Sequence, residues 1–257
     1  MSSTAKIALI TGATGGIGKA TSYALAKEGF SVALHYNAAP ESSVKELLDG
    51  VKSAASSSSN EGQQVFKAFQ ANLGDLEAVK RLHKDVVSSM GDPAVVFLNA
   101  GSTAGLNSVS HISDITPEIF EQTWRINTAS PFLLTQLCLP AMEKVQWGRI
   151  IFNSSVAGIN GGVIGGHYAS SKAALHGLVH WLAGVVAKKG ITVNALAPAL
   201  VEDTAMLPVG GDELAKKIPV GRFGRPEEMA NTVVWMVKTA YLTNKVIAVD
   251  GGFSYGG

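Results

Sequence analysis

A doubly wound α/β sheet in one domain is what this sequence predicts, and three observations predict it. Seven short apolar runs recur along the chain: KIALIT, SVALH, VFKAFQA, AVVFLNA, RIIFNSS, ITVNALAP and KVIAVDG. They read as continuously apolar rather than alternating, the pattern of strands covered on both faces of a parallel sheet. Helix signals fill the stretches between them, so strand and helix alternate throughout. The 257 residues are 46% apolar and 16% charged, enough to bury a substantial core. No linker or internal repeat divides them, and residues 1–257 are expected to form one domain.

KIALIT is the expected first strand. The turn after it, TGATGGIG from Thr11 to Gly18, opens the helical run KATSYALAKEG. At such a turn small residues let the backbone approach a pyrophosphate, while the helix N-terminus offers unpaired N–H groups and the positive end of its dipole. Gly12, Gly16, Ile17 and Gly18 are therefore expected at a dinucleotide. SVALH is the second strand, and at its end an NAD-specific site normally carries an acid for the ribose 2'-hydroxyl. His35, Tyr36 and Asn37 stand there instead. With no carboxylate to repel a 2'-phosphate, NADP(H) is favoured over NAD(H), with Asn37, Ser42 and Ser43 as candidate donors.

Ala54 to Gln64, AASSSSNEGQQ, reads as a solvated loop before the third strand, VFKAFQA. AVVFLNA is the fourth. In ITPEIFEQTW, Thr116 caps a helix and Pro117 takes its first position, as Pro226 does in RPEEMANTVVWMV. Cys138, the single cysteine, lies in the apolar run FLLTQLCLPAM, which makes it a buried, inert thiol and fits a reducing compartment. RIIFNSS is the fifth strand, closing at Ser155, and Tyr168 opens the next helix. Both are expected at the carboxyl edge of the sheet, where open α/β folds bind ligands. By spacing alone, Tyr168 and Lys172 in HYASSK are the i, i+4 pair that any helix provides. The following run, AALHGLVHWLAGVVA, is apolar on nearly every face, so one side should cover the sheet and another should meet a second subunit.

Net charge is +1 and the sequence pI about 7.8, which supplies no basic field for nucleic acid or an anionic membrane surface. No apolar stretch approaches the roughly 20 residues that span a bilayer. MSSTAKIALITG leaves no room for a secretory or transit peptide and SYGG is no retention signal, so a cytoplasmic protein is expected. The histidines are scattered and no metal site is expected. His167 is expected to pack or wall a pocket. Asn153-Ser154-Ser155 matches a glycosylation pattern but falls on a buried strand.

The loop spacing is Thr-Gly-x-x-x-Gly-x-Gly, and with it the chain resembles the short-chain dehydrogenase/reductases over essentially its whole length. It is most similar to their 3-oxoacyl-[acyl-carrier-protein] reductases. The resemblance implies a Rossmann fold and a tetramer. LNAG resembles the family's Asn-Ala-Gly motif, which implies that Asn99, Ala100 and Gly101 stabilise the sheet and border the adenosine ribose. NLGD is similar to the adenine-holding segment, here Asn72 and Leu73, with Asn72 where aspartate is commoner. RIN, NSSVAG and HYASSK match the active-site positions, here Asn127, Ser155, Tyr168 and Lys172. GRFGRPEEMA and VDGGF resemble its C-terminal segments. By this resemblance Tyr168 gives a proton to the carbonyl oxygen, Ser155 hydrogen-bonds that oxygen, and hydride comes from nicotinamide C4. Lys172 holds the nicotinamide ribose, and Asn127 places a water that relays protons to Lys172. The phenol pKa, near 10 in isolation, would need to fall by roughly 3 units, and the Lys172 charge is expected to contribute.

The chain departs from the family in PALVEDTAM. Pro198 is kept, Ala199 replaces the usual glycine, and Thr204 falls one place late, while Val201 can still offer its backbone to the carboxamide. Residues 204–219 form the expected lid, with Met206, Leu207 and Val209 framing a modest, partly apolar pocket. Gly15 stands where many NADP-dependent relatives carry Arg or Lys. The expected activity is NADPH-dependent reduction of a ketone or of a 3-oxoacyl thioester, small-molecule or carrier-borne. Two alternatives are an alcohol dehydrogenase working mainly in the oxidative direction and a non-catalytic dinucleotide-binding regulator, which would need only the glycine loop.

Overall fold

In a computed structural model, which describes residues 5–55, 63–204, 207 and 211–254, the seven strands are β1 (Ile7–Ile10), β2 (Ser31–Tyr36), β3 (Phe66–Gln70), β4 (Pro93–Leu98), β5 (Gly148–Asn153), β6 (Ile191–Pro198) and β7 (Lys245–Val249). All pair in parallel, in the order β3-β2-β1-β4-β5-β6-β7. The predicted doubly wound, seven-stranded sheet is therefore the fold. The chain winds outward from β1 to β3, then returns to place β4 on the other side of β1, so a crevice opens at the carboxyl ends of β1 and β4.

The continuous apolarity of the inner strands has a direct cause. Leu9 faces a core with Leu98, Ile150 and Phe152, covered by helices α3 (Leu76–Met90), α5 (Ser130–Val145) and α7 (Gly166–Val186). Its neighbour Ile10 faces the other core with Val32, Phe97 and Leu196, under α1 (Gly16–Lys27), α2 (Glu41–Ala54) and α9 (Pro226–Lys238). Successive side chains point to opposite faces, so a strand covered twice has no polar side. The outermost strands β3 and β7 depart from that expectation, since each carries exposed positions along its edge.

Cys138 is buried, and burial pushes its thiol up to about 12. Thr116 accepts the Ile119 amide to start α4 (Pro117–Trp124). One π-helical turn, Arg125–Ala129, then joins α4 to α5 and turns Asn127 into the interior. Two boundaries differ from the sequence reading. β5 ends at Asn153, so Ser155 lies two residues beyond it, and the short helix α6 (Ala157–Asn160) precedes α7, where Tyr168 is the third residue. A further short helix, α8 (Gly211–Ala215), lies in the expected lid, whereas Met206 and Val209 fall outside the described residues. Helix α7 buries Leu175, Val179, Leu182 and Val186 against the sheet and leaves Trp181 64% and Val185 50% exposed.

Candidate active site

The glycine loop is shaped by close backbone approaches. Gly12 has φ +65°, and a Cβ there would press on Ala100 Cα at 3.1 Å. A Cβ at Gly18 would collide with the Gly12 carbonyl, and one at Gly16 with the Asp203 carbonyl. Only glycine lets these segments close on one another. Asn99 Nδ2 donates to the Thr11 and Gly12 carbonyls at 2.9 and 3.2 Å, and the Ala100 amide donates to Thr11 Oγ1 at 2.9 Å. The loop is thus tied to the segment after β4.

A cleft of about 530 Å³ runs along the carboxyl edge of the sheet. Of the residues expected at a cofactor, Gly12, Ile17, Asn37, Asn72, Leu73, Asn99, Ala100, Gly101, Tyr168, Lys172, Pro198 and Thr204 line it. Gly16, Gly18 and Tyr36 do not: the two glycines serve the loop's own closure, and Tyr36 follows His35, which does line the cleft, on the pleat of β2. Ser42 and Ser43, in the first turn of α2, also lie outside it. Val201 lines the adjoining pocket, where its carbonyl accepts from Thr204 Oγ1 at 2.8 Å.

His35 is the residue whose surroundings differ most from the sequence reading. It does not offer its ring to a ribose. Nδ1 accepts the Gly12 amide at 3.1 Å, which leaves the proton on Nε2 to be donated to the Ala71 carbonyl at 3.0 Å. Thr14 and Asn153 are further lining residues that the motifs did not single out.

At the other end of the cleft Ser155, Tyr168 and Lys172 come together. Ser155 Oγ accepts the Ala157 amide at 3.1 Å. Lys172 Nζ donates to the Asn153 carbonyl at 2.6 Å and sits 5.7 Å from the centroid of the Tyr168 ring. Asn153 Nδ2 in turn donates to Asn99 Oδ1 at 2.9 Å, which joins the lysine to the glycine loop. The expected depression of the phenol is not what these surroundings produce. Burial pushes Tyr168 up to about 12, against a hydrogen bond from Ser155 that acts the other way, and burial pushes Lys172 down to about 8. Both shifts favour neutral forms, because an apolar surrounding disfavours charge of either sign. Lys172 still carries its charge below about pH 8, but in the cofactor-free protein burial outweighs it at the phenol.

Asn127 does not line the cleft. Its Oδ1 accepts the Ser102 amide at 2.8 Å, and its Nδ2 donates to Ser102 O at 2.9 Å and to Ser171 Oγ at 3.0 Å. It clamps the loop after β4 to α7. His167 is fully buried, with Nε2 at 3.2 Å from both the Thr103 and Leu106 carbonyls, and anchors the same loop. Beyond Ser155 and Tyr168 a pocket of about 140 Å³ opens among Val156, Ile164, Leu200, Leu207, Leu214 and Phe253. Among the described residues no three His, Cys, Asp or Glu side chains converge as metal ligands, and no helix is long and apolar enough to cross a membrane.

Comparison with known proteins gives a consistent result. The family model described as short chain dehydrogenase matches residues 6–213. A 3-oxoacyl-[acyl-carrier-protein] reductase of Staphylococcus aureus is 34% identical over 257 residues, covering 96% of this chain and 97% of its own. Among solved structures, a blue fluorescent protein from a metagenomic library, in complex with NADPH, superposes with a TM-score of 0.85 at 28% identity, over 99% of this chain and 100% of the other. An NADH-dependent reductase responsible for alginate metabolism also gives 0.85 at 28%, over 98% of each chain.

Proposed function

Since the chain belongs to the short-chain dehydrogenase family, we propose that this oxidoreductase reduces the carbonyl of a ketone or of a 3-oxoacyl thioester to a secondary alcohol, with NADPH favoured over NADH. The observation that carries the reading is the single cleft that runs from the glycine loop to Ser155 and Tyr168.

The cleft fits a nicotinamide dinucleotide, because Gly12, Thr14, Gly15 and Ile17 give it a wall of small side chains and backbone beside the N-terminus of α1, held in shape by glycines that close on Ala100 and Asp203. Asn72 and Leu73 would border the adenine, Asn99, Ala100 and Gly101 its ribose, and Lys172 the nicotinamide ribose. The bound cofactor supplies hydride from nicotinamide C4 to the carbonyl carbon. Ser155 donates a hydrogen bond to the carbonyl oxygen, and Tyr168 delivers the proton that completes the alcohol. Burial suits this role, since it keeps the phenol protonated until a base appears on the substrate. A water that returns protons by way of Lys172 would be placed by the Asn127 backbone, since its side chain is committed to Ser102 and Ser171. The apolar pocket takes the carbon chain beside the carbonyl and limits water at the reacting atoms.

Support for NADPH comes from the lining side chains. None of those described is Asp or Glu, so nothing acidic opposes a 2'-phosphate, and Asn37 can donate to it. The exposed apolar face of α7, with Trp181 and Val185, and the exposed Phe132 on α5 support a homo-oligomer, by the family's habit a tetramer; a cytoplasmic location remains part of the reading by resemblance. A panel of ketones, diketones, quinones and 3-oxoacyl thioesters, with NADPH consumption followed optically, tests the reading. Turnover of one of these carbonyls is expected. Tight NADPH binding with no consumption on any of them would instead mark a sensor.

A further inference from the structure

We infer that His35 is a positioning residue for the cofactor: its imidazole fixes the Thr11–Gly12 peptide so that no carbonyl of the glycine loop turns toward the pyrophosphate. This rests on the dinucleotide reading above and adds to it a residue outside the family's motifs.

The peptide is held from two sides. His35 Nδ1 accepts from the Gly12 N–H at 3.1 Å, while Asn99 Nδ2 donates to the Thr11 and Gly12 carbonyls. Gly12 has φ +65°, and glycine crosses to other conformations at little cost, so sequence alone does not hold this peptide. A turned peptide would aim a carbonyl dipole at an anion in place of the amides of the α1 N-terminus. The ring is itself held, with Nε2 bonded to the Ala71 carbonyl at 3.0 Å and the His35 carbonyl bonded to the Ala13 amide at 2.8 Å. Ala71 directly precedes Asn72 and Leu73 in the cleft wall. His35 therefore links the last two strands in a line of hydrogen bonds along the carboxyl ends of five adjacent strands. The line runs from Lys172 to Asn153, Asn99, Gly12, His35 and Ala71. Pyrophosphate and adenine segments are kept in register by one ring.

Two variants separate the two bonds. In His35→Asn the amide oxygen reaches where Nδ1 stands and can accept from Gly12, but the side chain is too short for Ala71. In His35→Gln the amide nitrogen reaches where Nε2 stands and can donate to Ala71, but nothing accepts from Gly12. Dissociation constants for NADPH, read by quenching of intrinsic fluorescence, should stay near wild type for Asn. For Gln they should rise about tenfold, the effect of one buried hydrogen bond. At saturating NADPH, kcat should change little in either, so the loss appears in KM. Thermal unfolding without cofactor should fall by similar amounts in both. Equal NADPH affinity for the two variants, or affinity that merely follows melting temperature, overturns the inference. In the wild type, isotope-labelled His35 should report a neutral ring protonated at Nε2, and a proton on Nδ1 would also overturn it. If the wild type binds neither NADPH nor NADH, the dinucleotide reading itself has failed.

Discussion

Between Gly12 and Ala39 the cleft is lined by glycine, alanine, threonine, isoleucine and asparagine, with His35 buried behind them, and no side chain there carries a fixed charge. Between Ser155 and Lys172 the same cleft is lined by two buried titrating groups, each shifted by burial toward its neutral form. The first end offers backbone amides and amide side chains, which bind in the same way at any ordinary pH. The second end offers groups whose protons can move. A site that must hold one ligand through a chemical cycle gains by keeping these tasks apart, because the titration of the reacting groups then leaves the grip on the adenosine half unchanged.

The sharpest way to break this contrast is Tyr168→Phe. It removes one hydroxyl and leaves the ring that Lys172 lies over. Turnover should fall by about 10² to 10⁴-fold, the usual contribution of a general acid, while NADPH affinity holds. Retention of more than about a tenth of wild-type kcat would mean that the proton comes from elsewhere.

Lys172→Met should act on both properties, lowering kcat and weakening NADPH binding on the order of tenfold through the lost ribose contact. Its charge also leaves a mark on stability. The lysine pKa falls from 10.5 in the unfolded chain to about 8 when folded. Between those values the unfolded chain binds the extra proton, so stability rises with pH across that window and the penalty is full below it. Tyr168, raised from 10.0 to about 12, acts oppositely above pH 10. Chemical denaturation of the cofactor-free protein between about pH 8 and 10 should therefore show stability rising in wild type relative to Lys172→Met. A flat difference would mean that the lysine is better solvated than its burial implies.

The reacting end was legible in the sequence because it is written in residue types. Spacing alone makes Tyr168 and Lys172 an ordinary helical pair, and it is the run of motifs in family order that marks them and Ser155 as one group, which the structure brings together at one end of the cleft. The inner strands were legible for a related reason, since Leu9 and Ile10 must both be apolar when each faces a covered core. The adenosine end was not. Its decisive feature, the bond from Gly12 to His35, joins residues 23 apart on adjacent strands, and the second bond of that ring spans 36. No local pattern encodes which ring atom meets which amide. Neighbouring positions of a strand also face opposite ways, so the sequence could not say which of His35 and Tyr36 meets the cleft. The pKa directions escaped for another reason: burial sets them at both groups, and burial is a property of the whole fold.

Asn37→Asp tests the adenosine end by giving it the charge it lacks. Asn37 lines the cleft and is exposed, and its carbonyl, which accepts from Gln70 Nε2 at 2.9 Å, is untouched by the change. A carboxylate there should repel a 2'-phosphate and accept from a 2'-hydroxyl. The ratio of kcat/KM for NADPH to that for NADH should drop about tenfold, since the carboxylate both opposes the 2'-phosphate of NADPH and gives the 2'-hydroxyl of NADH an acceptor. A ratio that does not move would show that the 2' position lies away from Asn37.

Gly15→Arg adds the opposite charge and should have the smallest effect. Gly15 precedes α1 with φ −80°, a conformation open to any residue, and a Cβ there would find only the Gly12 carbonyl at 3.5 Å, an ordinary contact. The substitution is sterically silent, unlike one at Gly16 or Gly18. The new guanidinium would lie at an exposed part of the cleft rim. There it gains the 0 to 1 kcal/mol or so of a solvated ion pair, a preference for NADPH raised about fivefold at most. Because that gain is screened, it should shrink between low and high salt, whereas the loss caused by Tyr168→Phe should not. Measuring the cofactor ratio for Gly15→Arg at two ionic strengths reads both expectations at once. A rise in NADPH preference that survives high salt would place the arginine in a desolvated contact, and a rise in NADH preference would mean that the 2' end of the cofactor lies elsewhere in the cleft.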